Sequence, residues 1–230
     1  MNLQKRNCDI NMRLVPYGAG WTDVYLTISG DEHYFIISDV LGDQFDDFLS
    51  ILYHLYPGNI GDETGSDDIE CKLACDEYID GEYKTVKIID DLNEYQELGV
   101  FHDVPWKAHF TWDEEGNQSV WELERDPTED LDFELRISIE HNNRHFQYSV
   151  RYADFCYAVA KACTEALKKH GFTGYHKATY TQDFNVRHLL FLKGVALGNL
   201  DACKLTYYEE KGAGETSDFA KELELLLFDM

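Results

Sequence analysis

The run Leu131-Asp132-Phe133-Glu134-Leu135-Arg136-Ile137-Ser138-Ile139, answered after Asn142-Asn143 by His145-Phe146-Gln147-Tyr148-Ser149-Val150-Arg151-Tyr152, decides the fold class. Successive side chains of a strand point to opposite faces, so a period of two sorts residues by side. Leu131, Phe133, Leu135, Ile137 and Ile139 share one side, and Asp132, Glu134, Arg136 and Ser138 share the other. On the return, Phe146, Tyr148, Val150 and Tyr152 face the apolar side. This pattern predicts an antiparallel hairpin with one apolar and one charged face.

The same reading extends upstream. Trp106, Ala108, Phe110 and Trp112 alternate with Lys107, His109 and Thr111. After the turn Asp113-Glu114-Glu115-Gly116-Asn117, the segment Ser119–Arg125 sets Trp121 and Leu123 against Glu122 and Glu124, and Asp126-Pro127 breaks it. Nearer the start, a short strand is predicted over 11–16. Thr22–Ser29 has Val24, Leu26 and Ile28 on one face, Gly30-Asp31 reads as a hairpin turn, and His33–Val40 returns. Over Asp43–Tyr56 the period becomes helical, with Phe45, Phe48, Leu49, Leu52, Leu55 and Tyr56 on one stripe. Asp43 suits the N-cap, Asp46 and Asp47 suit the positive helix end, and Pro57-Gly58 stops the helix. Strands at 69–75 and Lys84–Ile89 suggest an elaborated connection or an edge hairpin.

The apolar sheet face needs a cover. Asp154–His170 supplies an amphipathic helix with Phe155, Val159, Ala162, Cys163 and Ala166 on its stripe, ended by Gly171. Asp183–Val195 and Ser217–Phe228 read as further helices. The stretch from Gly198 to Ala213 is similar to part of an ankyrin repeat, but a lone repeat is not stable, so it reads as an ordinary helix and turn. The expected architecture is α+β: a single domain over 1–230, with an antiparallel meander of about six to eight strands and helices packed on one face. In it, 1–152 is mostly sheet with one helix and an insertion at 59–103, and 153–230 is a helical layer.

Charge is unevenly placed. The net charge is -24, yet from Arg136 onward 12 acids meet 12 bases, while residues 1–135 hold 32 acids and 8 bases. The 59–103 segment alone carries 14 acids and 3 Lys, and 113–134 carries 10 acids and one Arg. At 44% hydrophobic and 14% aromatic, the chain is too apolar for a disordered polyanion, so the charge is displayed on a folded scaffold. Such charge repels nucleic acid and anionic membranes and favours a cationic protein. MNLQKRNCDINMRLVPYG has no apolar run after its basic residues, which argues against a secretory signal, and no apolar stretch is long enough to span a bilayer. Six scattered Cys fit reduced thiols and a cytoplasmic location.

No motif names a reaction. His141-Asn142-Asn143-Arg144-His145 reads as a hairpin turn with a His at each rim more readily than as a metal site. Cys71 and Cys75 lack a second knuckle, and Cys156 and Cys163 fit a helix core. Asp67-Asp68 and Asp113-Glu114-Glu115 do not follow a calcium-loop spacing. Tyr17-Gly18-Ala19-Gly20 opens onto no helix, so it is not a phosphate loop. Trp106, Trp112 and Trp121 at alternating positions are core rather than stacking platforms. No cofactor and no metal are expected, and no catalytic residue is assigned.

Ser38-Asp39-Val40-Leu41-Gly42-Asp43-Gln44-Phe45-Asp46-Asp47-Phe48-Leu49, lying after two strands and before a helix, resembles a group of small acidic bacterial proteins. Phe110-Thr111-Trp112-Asp113-Glu114-Glu115 leading to Val120-Trp121-Glu122-Leu123 resembles the same group. The similarity covers roughly Trp21–Tyr152 without 59–103. Several of these proteins look like immunity partners of secreted toxins. The resemblance implies a non-enzymatic inhibitor of a basic toxin domain and transfers no catalytic residue. Candidate contacts are Asp67, Asp68, Asp113, Glu114, Glu115, Glu122, Glu124, Asp132 and Glu134. Two alternatives stay open: an enzyme or a small-ligand or metal-binding protein using His109, His141 or His145, and a regulatory subunit of a larger complex.

Overall fold

The computed structural model describes residues 9–38, 44–57, 69–79, 82–89, 100–114, 116–125, 132–179, 183–203, 206–208 and 214–230, with side chains undescribed over 69–105 and 202–216. In chain order the elements are β1 (Ile10–Gly18), β2 (Trp21–Ile28), β3 (Asp31–Ser38), α1 (Gln44–His54), β4 (Ile69–Ile79), β5 (Glu82–Ile89) and β6 (Val100–Asp113). There follow β7 (Gln118–Arg125), β8 (Glu134–His141), β9 (Arg144–Arg151), α2 (Tyr152–Ala178), α3 (Val186–Leu197), a 3-10 turn (Leu200–Cys203), β10 (Thr206–Tyr208), β11 (Gly214–Thr216) and α4 (Phe219–Leu227). The fold is α+β, and its strands lie in three sheets rather than the one expected: β1-β2-β3, β10-β11 and β5-β4-β6-β7-β8-β9. The chain divides into two compact units, Met1–Leu49 with Trp112–Asn117 and Ala153–Met230, and Ser50–Thr111 with Gln118–Tyr152.

In the first unit, Val24, Leu26 and Ile28 point inward as their alternation requires, and Phe35 and Ile37 join them from β3. The turn between β2 and β3 is Ser29-Gly30, not Gly30-Asp31: both residues have positive φ (51° and 88°), and Ile28 pairs with Asp31. A two-residue loop with positive φ at both positions matches the right-handed strand twist, which fixes the register one residue earlier than the sequence pattern suggests. Phe35, Trp112, Phe48 and Phe155 form a chain of edge-to-face ring contacts at 5.4–6.2 Å, linking β3, the end of β6, α1 and α2. Such contacts add about 0.5–1.5 kcal/mol each beyond area burial. The stripe of α1 is buried as expected, while Asp43 lies outside the described residues. Gly171 leaves helical geometry at φ 66°, ψ 167°, so the helix that starts at Tyr152 ends there as expected, and a second helix follows across the kink to Ala178; α2 is the two together. The stretch read as an ordinary helix and turn near 198–213 is a 3-10 turn followed by the β10–β11 ladder.

In the second unit, the meander β6-β7-β8-β9 follows the predicted order, and β4–β5 forms the hairpin at the far edge. Ala108, Phe110, Trp121, Leu123, Phe133, Leu135, Ile137 and Ile139 are buried. Phe110 stacks on Trp121 at 5.6 Å, and Phe133 on Tyr152 at 4.5 Å. Tyr152 starts α2 instead of ending β9: its N–H donates to the Phe133 carbonyl and its hydroxyl donates to the Leu52 carbonyl. β9 is an end strand, so its inward residues Phe146, Tyr148 and Val150 are only half-buried. Asn142 and Asn143 both have positive φ (53° and 57°), as a tight hairpin demands.

Candidate interaction surface

The outward side chains of β7, β8 and β9 fall into rows set by the register. Glu124 lies opposite Arg136 and then Ser149; Glu122 lies opposite Ser138 and then Gln147; Val120 lies opposite Glu140 and then His145. Directly opposed residues on one face are close enough to pair. Arg136 Nη2 donates to Glu124 Oε1. Lys107 on β6 lies 2.8 Å from Glu122 Oε2. Arg151 holds both oxygens of Asp132 at 2.7 and 2.6 Å, and Ser149 Oγ donates to Glu134 at 2.9 Å. Glu122, Glu124, Arg136, Ser138, Gln147 and Ser149 line a depression of about 350 Å³ on this face.

The structure therefore brings four of the sequence-derived contact residues, Glu122, Glu124, Asp132 and Glu134, onto one sheet face, each with a partner. That face is less one-sided than the 113–134 run implies. Its carboxylates Glu122, Glu124, Asp132, Glu134 and Glu140 are interspersed with the cations Lys107, Arg136 and Arg151. Two of these cations, Lys107 and Arg151, come from β6 and β9, outside that run, so a count along the chain misses what pairing across strands supplies. Asp113 and Glu114 belong to the other unit, at the β6–β7 turn, where the Glu114 N–H donates to the Asn117 carbonyl at 2.9 Å. Glu115, Asp67 and Asp68 lie outside the described residues.

The histidines of the rival reading are partly placed. His109 is exposed on β6. His141 Nε2 lies 3.1 Å from Asn142 Nδ2, and His145 Nε2 lies 2.7 Å from Ser138 Oγ, both at the rim of the predicted hairpin. Among the described residues no group of three or more His, Cys, Asp or Glu is placed to hold a metal. The side chains of Cys71 and Cys75 are outside the described set, and Cys156 and Cys163 are buried, reduced core residues. Trp112 and Trp121 are fully buried and Trp106 is intermediate, which makes the first two core residues. Among the described residues no helix is long and apolar enough to cross a membrane.

Two buried cations escaped the sequence reading. Arg125 is fully buried, its Cζ 5.7 Å from the Phe133 ring. Lys193 is fully buried in α3, and its Nζ donates to the carbonyls of Leu225, Leu226 and Phe228 at 3.3, 2.8 and 3.0 Å. These carbonyls close α4, where the helix dipole is negative. Burial, reinforced by nearby Lys168, lowers the Lys193 ammonium to about 8, and burial pushes the Cys163 thiol up. The signal for Lys193 was its position inside the apolar run Leu189–Leu197. In the same unit, Asn185 caps α3 by accepting the His188 N–H, and its Nδ2 donates to Asp46 at 3.3 Å.

Comparison of the chain with family models, with curated proteins and with solved structures finds no match.

Proposed function

We propose that the protein binds and neutralises a basic protein partner in the cytoplasm, in the manner of an immunity protein facing a cationic toxin domain such as a nuclease. The carrying observation is the confinement of the whole -24 to residues 1–135. A one-signed field of this kind can raise association rates by roughly 10 to 1,000-fold and penalises wrong partners. An inhibitor whose target kills its host needs that speed. The ion pairs on β7–β9 are compatible with this role, because exposed pairs contribute only about 0.2–1 kcal/mol and an incoming Lys or Arg can take the place of Lys107 or Arg136. Asp113, Glu114 and Glu115 and the acid-rich 59–103 segment, with Asp67 and Asp68, supply the rest of the charge. Calorimetry against basic toxin domains at low and high salt tests the reading. Affinity is expected to fall steeply with salt and with charge reversal across 113–134. Salt-independent binding, or binding untouched by those reversals, sinks the electrostatic mechanism.

A second reading, a small-ligand site, has one observation in its favour: His145 and Ser138 meet at 2.7 Å, and Ser138 lines the depression on β7–β9. A thermal-shift screen with small polar ligands checks it, and hits that persist unchanged in His145→Ala remove it.

A further inference from the structure

The solvent face of β1–β3 is unusual for an antiparallel sheet, whose wet side is ordinarily polar. Arg13, Tyr25 and Tyr34 form one cross-strand row, and Val15, Asp23 and Ile36 form the next. Tyr17 and Tyr34 are 57% and 46% exposed, and Val15, Trp21, Tyr25 and Ile36 are half-buried beside them. At the centre sits one carboxylate. Asp23 accepts the Tyr34 hydroxyl on Oδ1 at 2.9 Å and the Tyr25 hydroxyl on Oδ2 at 3.5 Å. The rings of Tyr25 and Tyr34 lie 5.2 Å apart, and the Arg13 guanidinium already covers Tyr25 at 3.9 Å from its centroid. Burial and the hydrogen bond to Asp23 push the Tyr34 phenol up to about 12, so it stays a donor to the carboxylate at neutral pH.

We propose that this face, Tyr17, Tyr25, Tyr34 and Asp23, is a recognition surface for arginine side chains of a basic protein partner. The idea rests on the basic-partner reading above and adds where the partner is read and by which residue type. Tyrosine and tryptophan around a fixed carboxylate form the kind of patch that dominates binding energy at interfaces. Guanidinium stacks on aromatic faces while donating in its plane to a carboxylate, and ammonium lacks the planar fork needed for both. Arg13 over Tyr25 shows the stacking geometry within the molecule itself. A second copy of the chain is disfavoured as occupant, because each copy carries -24. Anionic ligands are disfavoured by the same charge.

The test uses the full chain with ring-labelled tyrosine, assigned by single Tyr→Phe variants, and two probes at low salt, an arginine nonapeptide and a lysine nonapeptide. The expected result is movement of the Tyr17, Tyr25 and Tyr34 ring signals, with the arginine peptide binding at least about 5-fold more tightly than the lysine peptide. Tyr17→Ala with Tyr34→Ala is expected to erase that preference, while Tyr17→Phe with Tyr34→Phe, which keeps both rings, retains most of it and controls for folding. If both peptides bind equally and the tyrosine signals stay still, this proposal is overturned and the basic-partner reading survives. If neither peptide binds, both are overturned.

Discussion

The polar face of β7–β9 and the junction of α3 with α4 hold cations in opposite ways. On the sheet face, Arg151 and Asp132 are 52% and 59% exposed and make a two-pronged pair; Arg136 and Glu124 do the same work one row along. At the junction, the buried Lys193 donates its ammonium protons to three backbone carbonyls. Water competes for every exposed pair, so those partners are exchangeable at little cost. The Lys193 side chain is buried, and each of its three ammonium protons has a backbone acceptor at the end of α4. The difference separates charge that is displayed from charge that is structural, although both kinds look alike in a composition count.

The largest expected effect comes from breaking the structural cation. Lys193→Met keeps much of the stem volume but leaves the Leu226 and Phe228 carbonyls without this donor. Of α4 itself only Leu225 is buried, so the helix has little else to hold it. A loss of about 2–4 kcal/mol is expected by urea denaturation, with faster amide exchange across 219–227. A loss below about 1 kcal/mol, with unchanged exchange, would show that α4 docks without the lysine.

The next effect is in pH. The folded ammonium titrates near 8, below its ordinary value of 10.5, so between those values the unfolded chain holds more protons. Stability from this group therefore rises with pH across that window, because a charge that is costly to bury is being released. Cys163 has the opposite sign above about pH 9, since its thiol is held protonated in the fold while the unfolded chain ionises. The two are separated by measuring denaturant midpoints from pH 7.5 to 10 in a Cys163→Ala background, with and without Lys193→Met. A positive slope that persists in the double variant would assign the titration to another group.

How far the sequence foretold these regions follows from what each depends on. The meander was legible because Phe133, Leu135, Ile137 and Ile139 repeat every second residue, and that period needs no knowledge of neighbours. The stripes of α1 and α2 were legible for the same reason. The Ser29-Gly30 turn was misplaced by one residue because either dipeptide can supply a positive φ, and only the pairing of Ile28 with Asp31 decides. The apolar run around Lys193 hints at its burial, but its acceptors are not legible, because they lie 32 to 35 residues on, at the end of another helix. The balance of the β7–β9 face was misjudged because Lys107 and Arg151 reach it from strands outside the acidic run. Local periodicity survives in a single sequence; partners brought together by topology do not.

The smallest expected effect tests the displayed charges. Arg151→Ala and Glu124→Gln should each change stability by no more than about 1 kcal/mol at low ionic strength, and by less at 0.5 M salt, where exposed pairs are screened. Denaturation of each variant at both salt concentrations reads this directly. The small value is what lets the face serve a partner: a cation held this loosely can be traded for one on an incoming surface without unfolding the sheet beneath it. Were Arg151→Ala to cost 2 kcal/mol or more, independent of salt, the row Glu134–Arg151 with Asp132 would be part of the scaffold. The acids at Asp113 and Glu114 and in 59–103 would then have to carry the proposed encounter alone, and the contrast between the two regions would narrow to a difference in depth.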